Sequence, residues 1–208
     1  MVRARSVVDL GTGGGERLLC LIEGVDASEK RVVATEGWKP NIPIARQALS
    51  ASGIDVVDYD ADCGEAMPFS DASVDLVMSR HEAIDPQEIA RVLTPGGWLL
   101  TQQVDGRDAE EIHEWFGEDF AYPHVTADRY ADDLTAAGLR VHVKDEWIGT
   151  MEFADATALV AYIAMVPWDA PHFTVDDHVE RLTALDEDRP IHVTQRRFRI
   201  YATKLSSG

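Results

Sequence analysis

Apolar and polar positions along this chain change period repeatedly, and each change marks an element. Residues 6–10 (Ser-Val-Val-Asp-Leu) form a short apolar run of the kind a buried strand shows. Positions 14–24 then carry apolar residues at helical spacing as far as Gly24, and 31–36 is β-branched around Val32 and Val33. Pro40 opens a helix over 41–51 that Gly53 stops. Further strands are predicted at 54–59, 74–79 and 98–104. A helix over 86–93 precedes the last of these, with the turn Thr94-Pro95-Gly96-Gly97 between them. Strict alternation of strand and helix predicts an α/β fold with a doubly wound, mostly parallel sheet and helices on both faces.

Beyond residue 104 the pattern changes. Helical spacing recurs at 108–118, 127–137, 155–165 and 175–185, and strand patterns at 139–147 and 191–203, which brings the strand count to seven. With no low-complexity linker or repeat, a single domain over 1–208 is expected, with 148–190 a helical elaboration before the last strand. Its apolar helix and Val166-Pro167-Trp168 read first as core packing, as an aromatic stripe at helical spacing usually is, and alternatively as the cover of a pocket with Tyr162 and Trp168 facing in. The alternation over 191–203 also leaves pairing across a homodimer open.

Composition narrows the partners. The chain has 37 acids against 19 bases, a formal charge of -18. Neutralising phosphates supplies much of the affinity of nucleic-acid binders, so this balance disfavours nucleic acid and favours a small-molecule acceptor. The densest basic cluster, Arg196-Arg197-x-Arg199, lies in the last strand pattern, on an expected sheet edge. No apolar run approaches the ~20 residues of a membrane span. Neither that nor a signal-peptide pattern is present, so a cytoplasmic location is expected. Cys20 and Cys63 show neither metal-ligand spacing nor a disulfide framework, and Cys20 reads as core. His113, His172 and His178 are scattered and read as surface residues; His192 reads as a packed or edge residue. No metal site is expected.

The candidate chemistry begins where the first strand ends, at Asp9-Leu10-Gly11-Thr12-Gly13-Gly14-Gly15-Glu16. Glycines at 11, 13 and 15 remove side chains where a ligand must lie against the backbone. A dinucleotide fingerprint would need glycine where Glu16 stands, so that spacing fails. The acid at Asp9 suits a cationic ligand better than a pyrophosphate. This first motif, acid-x-Gly-x-Gly-x-Gly, clearly resembles that of the class I S-adenosylmethionine-dependent methyltransferases. The stretch Met67-Pro68-Phe69 followed by Val74-Asp75-Leu76-Val77 is similar to their third landmark. Arg80-His81-Glu82 and Thr101-Gln102-Gln103-Val104 resemble the fourth- and fifth-strand ends of a bacterial subgroup of that family.

The resemblance implies a Rossmann-like seven-stranded fold with S-adenosylmethionine as cofactor. Asp9, Gly11, Thr12, Gly13 and Gly15 would form the cofactor turn. Glu36 would accept from the ribose hydroxyls, followed by Gly37 and by Trp38 as a stacking face for adenine. Asp62 or Cys63 would reach the adenine edge, and Ser79 would close the site. The group Arg80, His81 and Glu82 would face the acceptor, with His81 as base, Glu82 orienting it and Arg80 clamping a carboxylate. The function expected is methyl transfer to a small molecule. The alternatives are an RNA base methyltransferase and a non-catalytic S-adenosylmethionine-binding protein. Such folds usually carry a covering segment before the first strand, here expected to be shortened, truncated or supplied from elsewhere.

Overall fold

The computed structural model describes residues 4–25 and 30–206. Seven strands form one sheet: β1 (Ser6–Leu10), β2 (Arg31–Glu36), β3 (Asp55–Asp58), β4 (Val74–Arg80), β5 (Leu93–Val104), β6 (Leu139–Phe153) and β7 (Ile191–Lys204). Their order across the sheet is β3-β2-β1-β4-β5-β7-β6. The pairs β1·β2, β2·β3, β1·β4 and β4·β5 are parallel, and β6 and β7 run antiparallel. Seven helices accompany them among the described residues: α1 (Glu16–Ile22), α2 (Asn41–Ser50), α3 (Pro86–Val92), α4 (Glu110–Phe116), α5 (Ala127–Ala136), α6 (Ala156–Met165) and α7 (Val179–Glu187). Chain contacts divide into two compact units.

The first unit comprises 1–103, 128–145 and 199–208. β1 lies between β2 and β4, so Val7, Val8 and Leu10 are buried on both faces, which is why the run shows no alternation. Burial of such side chains contributes roughly 1.5–3 kcal/mol each. Leu18 of α1 and Ala45 and Leu49 of α2 pack on Val7, Val32, Ala34 and Leu76. Cys20, two residues along α1 from fully buried Leu18, is turned about 200° round the helix and is exposed, contrary to the core position expected. The α3 start follows from Asp85, whose carboxylate accepts from the Gln87 and Glu88 amides, with Pro86 in the first turn.

The turn expected at 94–97 is absorbed into β5. Val74 pairs with Leu93 but Leu76 pairs with Trp98, so the Pro-Gly-Gly stretch is an irregularity within the strand. Strand order reverses direction between β1 and β4, the position at which open α/β sheets hold ligands beyond the carboxyl ends of their strands.

The second unit comprises 104–127 and 146–198. Ile112 and Phe116 of α4, Leu159 and Ile163 of α6, Leu182 of α7, and Ile191 and Val193 form its core. Asp155 caps α6 by accepting from the Ala158 amide. The elaboration expected over 148–190 is not wholly helical, because 148–153 continues β6 through Phe153. β7 is an interior strand between β5 and β6. It is therefore not the sheet edge expected.

Candidate functional site

The glycine turn follows β1 directly. Gly11, Gly13 and Gly15 have φ of +63°, +63° and +90°, a region L residues with side chains adopt at a cost. At Gly15 a second constraint applies, since a β-carbon there would lie 2.9 Å from Leu49 Cγ of α2. Three contacts tie the turn to β2. The Thr12 amide donates to the Thr35 carbonyl (2.9 Å), the Gly11 amide to Thr35 Oγ1 (3.4 Å) and the Gly13 amide to Glu36 Oε2 (2.7 Å). Glu36 is buried, and its other oxygen accepts from the Trp38 amide at 2.9 Å. One carboxylate thus joins the glycine turn to the segment after β2.

Gly37 lets that segment pass Asp60, because a β-carbon there would sit 2.9 Å from the Asp60 Cα. Trp38 is 64% exposed, an indole face beside a buried acid. Asp60 accepts from the Asp62 amide, and the Cys63 thiol donates to the Asp60 carbonyl (2.9 Å). The negative charge of Asp62 acts on Glu82. Arg91 of α3 holds the following loop from below, donating to the carbonyls of Met67 and Phe69.

The electrostatics are those of a site that wants a cation. Asp9 is pushed up to about 6, chiefly by burial, which Thr12 and the positive charge of Arg80 only partly offset. Thr12 is 9% exposed, and its hydroxyl lies beside this carboxylate. Glu82 is raised to about 7, first by burial and then by the negative charges of Glu36, Asp60 and Asp62. The sequence reading missed Tyr130. This α5 residue is half-buried, and its phenol is pushed up to about 12 by burial and by Asp62, Glu82 and Asp133. Its signal was a lone tyrosine in a helix otherwise rich in aspartate.

The β4 end and the β5 end form one structure. His81 has φ of +60°, in the left-handed region that residues with side chains adopt infrequently. Its amide donates to the Gln102 carbonyl, and its Nε2 lies 3.4 Å from Gln102 Nε2. Buried Gln103 donates to the Glu82 carbonyl (2.8 Å), which also accepts from Ser79 Oγ (2.9 Å), and to Thr101 Oγ1 (2.7 Å). Ser79 and the Thr-Gln-Gln triplet therefore fix the turn that presents Arg80, His81 and Glu82. Arg80 and His81 are exposed. Glu82 instead lies against Gly11, where a β-carbon would come within 2.5 Å of its Cγ and Oε2.

The second unit holds a separate polar cluster. Arg197 Nη1 meets Asp108 Oδ1 at 2.5 Å, with side-chain exposures of 17% and 9%. Tyr162 Oη donates to Asp169 at 3.4 Å, burial raising both groups. Tyr162 is half-buried, whereas Trp168 is exposed. His113, expected at the surface, is buried beside Phe120 with no partner for Nδ1, because it shares α4 with the core residues Ile112 and Phe116. His178 packs on Phe116 and Phe173, His172 is exposed beside Glu118, and His192 is exposed rather than packed. Arg196 pairs with Glu110, and in the first unit Arg199 pairs with Asp145. Arg197→Ala should lower stability by about 2 kcal/mol, since it strands a buried carboxylate. Thermal unfolding checks this, and a change under 0.5 kcal/mol would refute a structural role.

Among the described residues no group of three or more histidine, cysteine, aspartate or glutamate side chains is placed to hold a metal. Nor, among them, is any helix long and apolar enough to cross a membrane.

No curated protein sequence matches the chain. Residues 8–101, which contain the glycine turn, Glu36, the Asp60–Phe69 loop and the β4 turn, match the family described as Methyltransferase domain. Among solved structures, a candidate methyltransferase from Bacillus halodurans is 18% identical with a TM-score of 0.66, over 99% of this chain and 94% of that one. The YcgJ protein of Bacillus subtilis is 17% identical with a TM-score of 0.65, over 98% and 93%. A SAM-dependent methyltransferase from Aquifex aeolicus is 16% identical with a TM-score of 0.54, over 97% and 82%. Over residues 8–101 the chain is thus similar in sequence to methyltransferase domains, and over nearly its whole length it has the fold of solved members of that class.

Proposed function

We propose that the protein is an S-adenosylmethionine-dependent methyltransferase acting on a small-molecule acceptor. The observation that carries the reading is the Glu36 carboxylate, buried and bound to the amides of both Gly13 and Trp38 beside an acid-lined cradle. The residues present fit the cofactor in two respects. The turn has no side chains at 11, 13 and 15. Asp9 and Glu82 are held above the usual carboxylate range, chiefly by burial, a cost that a bound cation would offset. A dinucleotide would bring phosphates to these acids and be repelled.

S-adenosylmethionine, when bound, supplies an electrophilic methyl group. Gly11, Thr12, Gly13 and Gly15 would hold its amino-acid side, with Asp9 facing its ammonium. Glu36 would accept from its ribose hydroxyls. Gly37 lets Trp38 offer its exposed indole to the adenine, with Asp62 rather than Cys63 at the adenine edge, since the Cys63 thiol is already engaged. Displacement at a sulfonium methyl requires chiefly alignment and exclusion of water. Exposed His81, set in place by Gln102, is the base for an acceptor that must lose a proton. Arg80 is the exposed cation at the same turn, suited to an acceptor carboxylate.

The arginines of β7 favour no nucleic-acid acceptor, since Arg196, Arg197 and Arg199 each have an acidic partner.

Calorimetric titration with S-adenosylmethionine and S-adenosylhomocysteine tests the reading. Micromolar binding of either supports it, and absence of both overturns it. Turnover with a screened small-molecule acceptor then separates an enzyme from a non-catalytic binder. Trp38→Ala should weaken both ligands by about five- to tenfold, the worth of one aromatic stacking contact, with unfolding unchanged. Equal affinity in the variant would remove Trp38 from the site.

A further inference from the structure

We infer that the second unit carries a binding site for a small organic ammonium, held by Asp169, Tyr162 and His113 among aromatic rings. All three residues belong to that unit, so the inference goes beyond the cofactor reading and stands or falls apart from it. The geometry starts on α4. His113 stands three residues before Phe116 and shares its buried face. It is 5% exposed, its ring packs on Phe120 at 4.3 Å, and its Nδ1 has no hydrogen-bond partner among the described residues. A polar atom buried in this way calls for one.

The stretch after α6 is fastened against the end of the same helix. Glu118, just past α4, accepts from the His172 amide at 2.9 Å, and Phe173 meets Phe116 edge-on at 4.7 Å. Asp169 and Ala170 open that stretch, and Ala170 shares the core with Ile112 and Phe116. Tyr162 of α6 packs on this core and donates to Asp169 at 3.4 Å, a long bond, while its ring lies 5.2 Å from that of Phe153. A carboxylate, a phenol oxygen and a ring nitrogen are thus gathered in an aromatic setting.

Charge decides what such a site accepts. The other acid of the cluster, Asp108, meets Arg197 at 2.5 Å, and the same guanidinium nitrogen donates to the Arg196 carbonyl. Among the described residues Asp169 forms no ion pair, and its one side-chain hydrogen bond is the long one from Tyr162. Burial raises this carboxyl above its ordinary range, and His113, Tyr162 and Arg197 offset that only in part. An ammonium supplies what the group lacks. It donates to the Asp169 carboxylate, to the Tyr162 oxygen and to Nδ1 of a neutral His113, and aromatic faces attract its charge. An anion would meet Asp169, and a neutral alcohol has a single hydrogen to donate.

The test is titration of the whole chain with 2-phenylethylammonium, neutral 2-phenylethanol and anionic phenylacetate, followed through the protein's amide resonances. Salt at about 150 mM screens the general attraction of cations to an acidic chain. The ammonium should bind about tenfold more tightly than the alcohol, the order of one charge-assisted hydrogen bond, with phenylacetate weakest. Asp169→Asn should remove that advantage, and Glu180→Gln, at an exposed acid of α7, should leave it unchanged. Ammonium affinity no greater than that of the alcohol would overturn the inference, as would equal losses in the two variants. Tightest binding of phenylacetate would also overturn it, as would absence of ammonium binding up to about 10 mM. None of these outcomes touches the cofactor reading, which titration with S-adenosylmethionine decides. Should Asp169→Asn fold poorly, Tyr162→Phe takes its place, and the order of the three probes on wild type still decides.

Discussion

Glu36→Gln is expected to weaken S-adenosylmethionine binding about a hundredfold and to lower stability by about 2 kcal/mol. The carboxylate accepts from two backbone amides, one through each oxygen, at 2.7 and 2.9 Å, and it is 5% exposed. Glutamine offers one acceptor oxygen and one amino group. Whichever way the amide turns, an amino group faces the amide of Gly13 or of Trp38, and a buried donor is left unsatisfied at about 1–3 kcal/mol. The ribose hydroxyls lose a charged acceptor as well, and hydrogen bonds to charged groups are worth about 1.5–3 kcal/mol. A loss of about 2.7 kcal/mol is a hundredfold in affinity. Calorimetry and thermal unfolding measure the two effects separately. Affinity within threefold of wild type would show that the buried acid serves the turn alone and never meets a ribose.

Much of the first unit was legible because its signals are local. The run at Val7 and Val8, the glycines at 11, 13 and 15, and the capping of α3 by Asp85 and Pro86 each act within a few residues. The unusual backbone angles at those glycines could be read directly from residue type. The family resemblance then implied a seven-stranded sheet, but the strand order, which no local pattern contains, comes from the structure.

What was not legible depended on which residues the fold brings together from distant positions. Thr101-Gln102-Gln103 and Ser79–Glu82 were noted as two motifs, yet they are one hydrogen-bonded turn, joined by Gln103 across the β4·β5 pair. Glu82 was grouped with its neighbours in sequence. Its side chain instead lies against Gly11. Tyr130 had no motif at all. His113 misled for the opposite reason: a polar residue type read as surface is buried where α4 packs, and Arg197, expected on a sheet edge, lies half-buried on an interior strand.

The stability of the free protein should fall as pH rises from about 4 to about 7, and S-adenosylmethionine should reverse the trend. Asp9 stands at about 6 in the folded chain against an ordinary 3.8, and Glu82 at about 7 against 4.5. Both shifts are upward, so over that interval the folded state holds more protons than the unfolded one, and the slope of stability with pH is negative. Once both groups are ionised in both states, the shift at Asp9 alone corresponds to about 3 kcal/mol of lost stability. Glu82 is more exposed and adds a smaller, solvent-screened amount. A cationic ligand bound beside these acids favours their ionised forms and draws both pKa values down. Binding therefore releases protons below about pH 7, and the ligand gains affinity as pH rises. The increase in melting temperature caused by saturating S-adenosylmethionine should be larger at pH 8 than at pH 5.5. Calorimetry in buffers of different ionisation enthalpy should show proton release at pH 6 that vanishes by pH 8.5. The double variant Asp9→Asn, Glu82→Gln should show neither, which separates these two groups from the general repulsion of a chain carrying a formal charge of -18. Equal stabilisation by the ligand at both pH values would mean that no cation comes to rest beside Asp9 or Glu82.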